Sequence, residues 1–452
     1  MQYLGMDIPV KNLPPLDPGF VPLGLFQRAY LAEATEPVTL ALEHSGDAVA
    51  VVHTRLRGDD VLDHYYIDRL VKNLLWQKGG YRLYTDHAAA CAYLKAAYRP
   101  GGSRSFDAAF MSQVYGQPFE VLLSDTVPQE RQQSRAVGGH WDGCRIGFDA
   151  GGSDRKVSAV MDGKTVFSEE VVWSPKTASD PAYHYAGIVS ALRRAAAHLP
   201  RVDAVGVSTA GVIVEDRVKV SSLFRAVPET RRGEVQDIFV RAVTDTFGAV
   251  PCSVINDGDV TALAGAMTLG ESSVLGIAMG TSEAAGFVDG AGHITGWLNE
   301  LAFAPVDASP DAETDEWSGD RGCGVKYFSQ EAVIRLAGRA GIILDAASSP
   351  AEQLKAVQTL MAQGDARAAM VYDSLGVYLG HTLALYEEMY RCRHVLLLGR
   401  VMSGAGGDRI LAEARRVLAE EYPEIALTVS LPDEAFRRLG QSTAAAALPK
   451  RG

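Results

Sequence analysis

The chain has 452 residues, 47% of them hydrophobic and 22% charged, with a formal net charge of −12. That length predicts two to four domains at roughly 100–200 residues each, and the acidic balance argues against nucleic acid, whose phosphates it repels at long range. Five scattered cysteines with no CxxC pair support neither a disulfide framework nor a zinc ribbon, and with no signal-peptide pattern and no 18-residue apolar stretch a reducing cytoplasm and no membrane are expected.

Residues 1–37 are proline-rich and read as an irregular, extended arm. TLALEHSGDAVAVVHTRL (39–56) reads as two strands around a Ser45-Gly46-Asp47 turn. Val61, Leu62, Tyr65, Tyr66, Leu70, Leu74 and Leu75 recur at helical spacing over 59–78, and Gly79-Gly80 ends the run. Short strands are expected at 81–85 and 119–124 with helices between them, then a polar linker over 126–140. From 144 come three strands (RIGFDAG, KVSAVMDG, KTVFSEEVVW) and a helix at 181–198. Strand 202–208, helix 233–247, strand 252–257, helix 258–269 and strands 273–280 and 284–290 follow. Helices at 328–340, 350–362 and 365–391 precede strand 394–399, helix 408–421, strand 425–431 and a last helix near 434–447. Hairpin strands followed by alternating helices and strands, twice over, predict a mixed-sheet α/β architecture. The arginines at 131–135 and 225–232 read as local basic patches or as solvated faces.

Four segments carry candidate chemistry. Asp149-Ala-Gly151-Gly152-Ser153-Asp-Arg-Lys156 lies between two strands. Its glycines let backbone N–H groups approach an anionic oxygen, Ser153 and Lys156 add a hydroxyl and a positive charge, and Asp149 suits Mg²⁺ held through water. The plain alternative is a hairpin turn. Asn256-Asp257 ends an apolar strand and begins a small-residue helix. A carboxylate there sits where α/β sheets bind ligands, and Asp257 suits a base that accepts a hydroxyl proton as the oxygen attacks phosphorus. The plain alternative is a helix N-cap. Gly280-Thr281-Ser282-Glu283 reads as a γ-phosphate loop or a hairpin loop. Gly399 to Gly407, with Gly404 inside it, reads as a nucleotide-binding turn or only as a helix start.

As an ordered set these segments resemble the actin, heat-shock-chaperone and sugar-kinase superfamily, and within it the ROK family of bacterial sugar kinases and related repressors. Gly-Phe-Asp149-Ala-Gly-Gly-Ser is similar to that family's first phosphate loop, D-x-G-G-T. VDAVGVSTAGVI (202–213) is similar to its G-I-G-x-P-G segment, with Ala210 at the proline. Asn256-Asp257 matches the pair that holds the sugar and supplies the base, and Gly280-Thr281 the second phosphate loop. Gly292 to Glu300 resembles the approach to E-x-G-H, which puts Glu300 at the sugar-binding glutamate. LLLGRVMSGAGGDRIL resembles the adenosine segment, and RLGQSTAAAALPK the closing helix.

The resemblance covers roughly 144–449. It implies a two-lobed actin-like ATPase (ribonuclease H-like) fold with an additional N-terminal α/β domain. The expected division is 1–140 as the extra domain, 141–257 with about 434–452 as the first lobe, and 258–433 as the second. It implies ATP-dependent phosphorylation of a sugar or sugar-like hydroxyl, lobe closure against water, and ATP and Mg²⁺ as cofactors. A nucleotide and a sugar are the expected partners, and a homodimer the expected assembly. Two departures stand out. After Glu300 the chain reads Leu-Ala302-Phe303, where the family has x-Gly-His, and of the zinc cysteines only Cys323 is near its place, so no zinc is expected. Loss of that polar contact alters the expected substrate; His293 is a candidate substitute. The N-terminal region lacks a winged helix–turn–helix, which sets a DNA-binding repressor aside and leaves a non-catalytic sugar or nucleotide sensor as the rival reading. Residues 39–52 and 115–125 echo 146–160 and 247–257, either as a degenerate actin-like lobe or by composition alone.

Overall fold

In a computed structural model, residues 1–45, 48–132, 138–433 and 440–450 are described. Gly46 and Asp47 of the first expected turn, Arg135 of one arginine group, part of the linker, and 434–439 of the last expected helix lie outside them. The chain forms two compact units. The larger comprises Met1–Gln133, Ile277–Ala285 and Trp297–Leu431; the smaller comprises Ser134–Gly276, Gly286–Gly296 and Pro432–Gly452.

The smaller unit is built on a five-stranded sheet in the order Cys252–Asn256, Ala204–Thr209, Cys144–Ala150, Asp154–Met161, Lys164–Val172. The first three strands pair in parallel; the last two extend the sheet as an antiparallel meander. One face buries Ile146, Phe148, Val205, Val207 and Val254 against the helices Pro181–Ala196 and Ile238–Phe247. The opposite face admits the helix Gln441–Ala446 at backbone distance. A Cβ on Gly147 would lie 1.7 Å from the Ser442 carbonyl oxygen, and one on Gly206 1.7 Å from that of Ala445. Glycine at both positions is therefore a packing requirement.

The larger unit holds one four-stranded sheet and part of a second. The first runs in the order Val49–Leu56, Glu36–Glu43, Arg82–Thr85, Glu120–Leu123, with the helices Asp60–Lys78, Ala88–Tyr98 and Ser105–Tyr115 between strands. Here Glu36–Glu43 meets Arg82–Thr85 antiparallel, whereas in the smaller unit Cys144–Ala150 meets Ala204–Thr209 in parallel. The sequence echo is thus compositional: the N-terminal sheet is wired differently. The second sheet runs in the order Glu283–Val288, Val274–Met279, His394–Leu398, Thr428–Ser430. The helices Gln330–Arg339, Pro350–Ala362, Ala366–Tyr390 and Gly404–Glu421 accompany it.

The mixed α/β fold is as expected, with local differences. The arm is not irregular throughout, because Leu23–Leu31 is helical. Its start is hidden behind Pro22, but Leu23, Leu25, Phe26 and Tyr30 all point inward, so burial rather than capping sustains it. The expected helix over 233–247 is a 3₁₀ turn at Glu229–Val235 followed by Ile238–Phe247.

Candidate functional site

Asp149 is the sixth residue of the strand Cys144–Ala150. Register sets it opposite Ser208 on one side and Lys156 on the other. Its carboxyl is 5% exposed. Burial pushes it up to about 7; Ser208 draws it back, and the charge of Asp257 adds to the rise. Among the described residues it has no ion-pair partner: the Lys156 Nζ stands 3.8 Å from Asp154 and from Glu170.

The following turn is opened by its glycines. A Cβ on Gly151 would sit 2.8 Å from the Asp154 carbonyl oxygen, while the Gly151 carbonyl accepts from Trp173 Nε1 at 2.8 Å. Gly152 faces the flexible end of Lys176, and Ser153 is exposed, its hydroxyl 3.3 Å from the Asp154 carboxylate.

Asn256 and Asp257 divide two tasks that the sequence leaves combined. Asn256 is the N-cap of the helix Asp257–Leu269: its Oδ1 accepts from the Gly258 N–H at 2.7 Å. Its Nδ2 donates to the Gly211 carbonyl at 2.7 Å, which ties the strand end to the loop after Ala204–Thr209. Asp257 is the first helical residue, half-buried, and burial raises its carboxyl above the usual range while the Gly258 N–H draws it back. The smaller unit thus brings Asp149, Asn256 and Asp257 together at the C-terminal ends of parallel strands, where α/β sheets bind ligands.

The same strand ends carry two groups that sequence reasoning passed over. The Ser208 and Thr209 hydroxyls are fully buried; Ser208 faces the Asp149 carboxyl, and Thr209 has no hydrogen-bond partner among the described residues. Register sets Thr209 between Ala150 and Asn256. Their signal was present in VGVSTAG, two hydroxyls in succession at the end of an apolar strand. Buried hydroxyls without partners cost free energy unless something answers them. With the unneutralised Asp149 carboxyl they suit a hydrated divalent cation, which binds through oxygen and retained water.

In the larger unit, Gly280, Thr281 and Ser282 form the turn after Val274–Met279. The Gly280 N–H donates to the Ser282 carbonyl at 3.0 Å, the Gly280 carbonyl accepts from the Gln330 N–H at 2.8 Å, and the Thr281 and Ser282 side chains are exposed. Gly399 lies against this turn: its φ is 95°, and a Cβ would come 2.2 Å from the Met279 carbonyl oxygen. Gly404, φ 66°, opens the helix Gly404–Glu421, so Gly280 and Gly399 are brought together and Gly404 starts the next element. Glu283, the last residue of that motif, follows at once. Its buried carboxyl is pushed up to about 8 by burial, with the Tyr386 hydroxyl at 3.4 Å.

Glu300 is half-buried, and its N–H donates to the Trp76 carbonyl at 2.9 Å. Phe303, at the position of the resemblance's histidine, is buried with its ring centroid 4.4 Å from Trp76 and 5.8 Å from Phe106. Cys323 is buried with its Sγ 3.9 Å from Asp320. Among the described residues no group of three or more His, Cys, Asp or Glu is arranged to hold a metal ion by itself. His293 lies in a turn where its N–H donates to the Asp289 carboxylate at 2.9 Å. Among the described residues no helix is long and apolar enough to cross a membrane.

The family model described as ROK family matches residues 145–433. Solved structures share the fold. A ROK hexokinase from Thermus thermophilus is 20% identical with a TM-score of 0.52, covering 67% of this chain and 97% of its own. A ROK family glucokinase from Streptomyces griseus, in complex with glucose and AMPPNP, is 21% identical with a TM-score of 0.50, covering 67% and 98%. A ROK family transcriptional regulator, a homologue of the E. coli MLC protein, is 15% identical with a TM-score of 0.50, covering 79% and 87%. No curated protein matches the sequence.

Proposed function

The chain belongs to the ROK family, and from that premise we propose that it transfers the terminal phosphoryl group of ATP to a hydroxyl of a sugar or sugar-like alcohol. One observation carries the reading: Asn256 caps the helix, so the raised carboxyl of Asp257 is not needed as the cap. A raised carboxylate is a stronger base, and proton acceptance of this kind contributes roughly 10²–10⁴-fold.

In this proposal Asp257 takes the proton of the substrate hydroxyl as that oxygen bonds to the γ-phosphorus and the bond to ADP breaks. Asn256 and Glu300 orient substrate hydroxyls. Gly151, Gly152, Ser153 and Lys156, and separately Gly280, Thr281 and Ser282, offer N–H, hydroxyl and ammonium donors to phosphate oxygens. Gly399 and Gly404 leave room for the nucleoside. Asp149, with Ser208 and Thr209, would hold Mg²⁺ through water, and the ion would supply charge neutralisation on the phosphates. A cytoplasmic homodimer without nucleic acid among its partners belongs to the same proposal.

Phe303 favours a second reading. An aromatic core residue where the resemblance has a sugar-contacting histidine suits a sensor that binds sugar or nucleotide without chemistry. ADP release over a panel of sugars separates the two. The kinase reading expects sugar-dependent ADP that falls at least about 10²-fold in Asp257→Asn. Thermal stabilisation by a sugar with no ADP from any of them would replace the kinase by the sensor.

A further inference from the structure

The N-terminal region of the larger unit holds the segment that carries Glu300. The helix Asp60–Lys78 ends with carbonyls that have no partner inside the helix. Three of them are taken in succession. The Lys78 carbonyl accepts from the Leu298 N–H at 3.2 Å, that of Gln77 from Asn299 at 3.0 Å, and that of Trp76 from Glu300 at 2.9 Å. The chain after Gly79 turns away tightly, since a Cβ there would lie 1.9 Å from the Tyr115 hydroxyl and 3.0 Å from the Leu298 Cβ.

Asn299 sits in the left-handed region at φ 54°, which asparagine tolerates better than most residues. Its buried Oδ1 accepts from the Tyr390 hydroxyl at 2.9 Å. On either side, Trp297 covers the Lys78 ammonium and Phe303 packs on Trp76. Further along, the Pro305 carbonyl accepts from Asn73 Nδ2 at 3.1 Å and the Ala308 carbonyl from the Tyr65 hydroxyl at 2.9 Å. The segment thus runs back along the helix that holds its start.

We propose that the last turn of Asp60–Lys78, together with Tyr390 acting through Asn299, is a positioning device that sets the backbone of Glu300 for substrate. This rests on the kinase reading of Glu300. The device acts through backbone bonds, so it tolerates change at Gln77 and Lys78 more than loss of the Tyr390 hydroxyl, which takes a hydrogen bond from the buried Asn299 side chain.

The test uses the full chain with ATP and glucose, mannose, N-acetylglucosamine and N-acetylmannosamine as probes, reading ADP release. In Tyr390→Phe the sugar KM is expected to rise about 5- to 150-fold, the range for loss of a buried hydrogen-bond partner, while the ATP KM stays within about twofold. Tyr378→Phe is the control. It lies on the same helix Ala366–Tyr390, and it too loses a buried phenolic hydrogen bond, to Asp17. It should lower the melting temperature and leave the sugar KM alone. An unchanged sugar KM in Tyr390→Phe, or an equal rise in both variants, overturns the positioning role and leaves the kinase reading standing. A wild-type chain that releases ADP with none of the four sugars removes the kinase reading, and the positioning role with it.

Discussion

Two groups of buried carboxylates stand in opposite electrostatic situations. In the larger unit, Asp68, Asp107 and Asp320 meet three buried cations. The Asp320 carboxylate lies 3.1 Å from Arg69, 2.7 Å from Lys72 and 2.8 Å from Arg104, Asp68 pairs with both arginines, and Asp107 lies 3.4 Å from Lys72. Burial keeps Asp68 and Asp107 raised in spite of the cations beside them, but at Asp320 Arg69 and Lys72 outweigh burial and hold the group below the usual carboxylate range. In the smaller unit, Asp149 and Asp257 are raised and neighbour each other, with no cation beside them to outweigh burial, and the Thr209 hydroxyl at the same strand ends is unpartnered among the described residues. Neutralised acids of the first kind hold structure together. Acids left unneutralised cost stability, and that cost makes sense at a site that a cation and a substrate complete.

Removing one acid from each group should therefore move stability in opposite directions. Asp320→Ala leaves Arg69, Lys72 and Arg104 with two acids, and breaking a buried pair from one side costs about 3–5 kcal/mol. Urea unfolding at pH 7 checks this; a loss below about 1 kcal/mol would place the cluster with ordinary surface pairs. Asp149→Asn should do the reverse, and only at high pH. The folded carboxyl titrates near 7, above the unfolded value of about 3.9. Between those values the unfolded chain has lost a proton that the folded chain keeps, so this group's contribution falls as pH rises through that window and is level above it. The variant should match wild type near pH 3.5 and exceed it at pH 8 by roughly 2–4 kcal/mol in the absence of divalent cations. Parallel stability curves would remove the contrast.

How much of this the sequence shows depends on how local each feature is. Asp149 and Asp257 were legible because each ends an apolar strand next to glycines or a small-residue helix, a pattern confined to a dozen residues. Phe303 was legible only as a missing histidine. Its role in packing comes from Trp76 and Phe106, about two hundred positions earlier, and no periodicity connects them. Arg69 and Lys72 stand among the apolar positions of their helix, and no local pattern names their partner, because Asp320 is far away in sequence. The hydrogen bonds from Leu298, Asn299 and Glu300 to the helix end are between backbone groups, which every residue owns, so no side chain announces them.

The smallest expected effect bears most directly on how Asn256 and Asp257 divide their work. Asn256→Ala removes the cap on Asp257–Leu269 and orphans the Gly211 carbonyl, so a loss of about 1–2 kcal/mol is expected. Asn256→Ser returns a capping oxygen but not the amide donor, and should recover about 1 kcal/mol of it. If Asn256 serves only as a cap, ADP release recovers along with stability. If it also holds the strand end to Gly211, and so the place of Asp257, Asn256→Ser stays impaired in turnover after its melting temperature has returned. The carboxyl of Asp257 would then be free to turn toward the helix end in both variants. Its kinetic pKa should fall toward the ordinary carboxylate range in the Ala variant most of all, because N–H groups at a helix start stabilise the charged form. A pH–rate profile that keeps the same acidic limb in wild type, Asn256→Ser and Asn256→Ala would separate Asp257 from its neighbour and leave Asn256 as a helix cap alone.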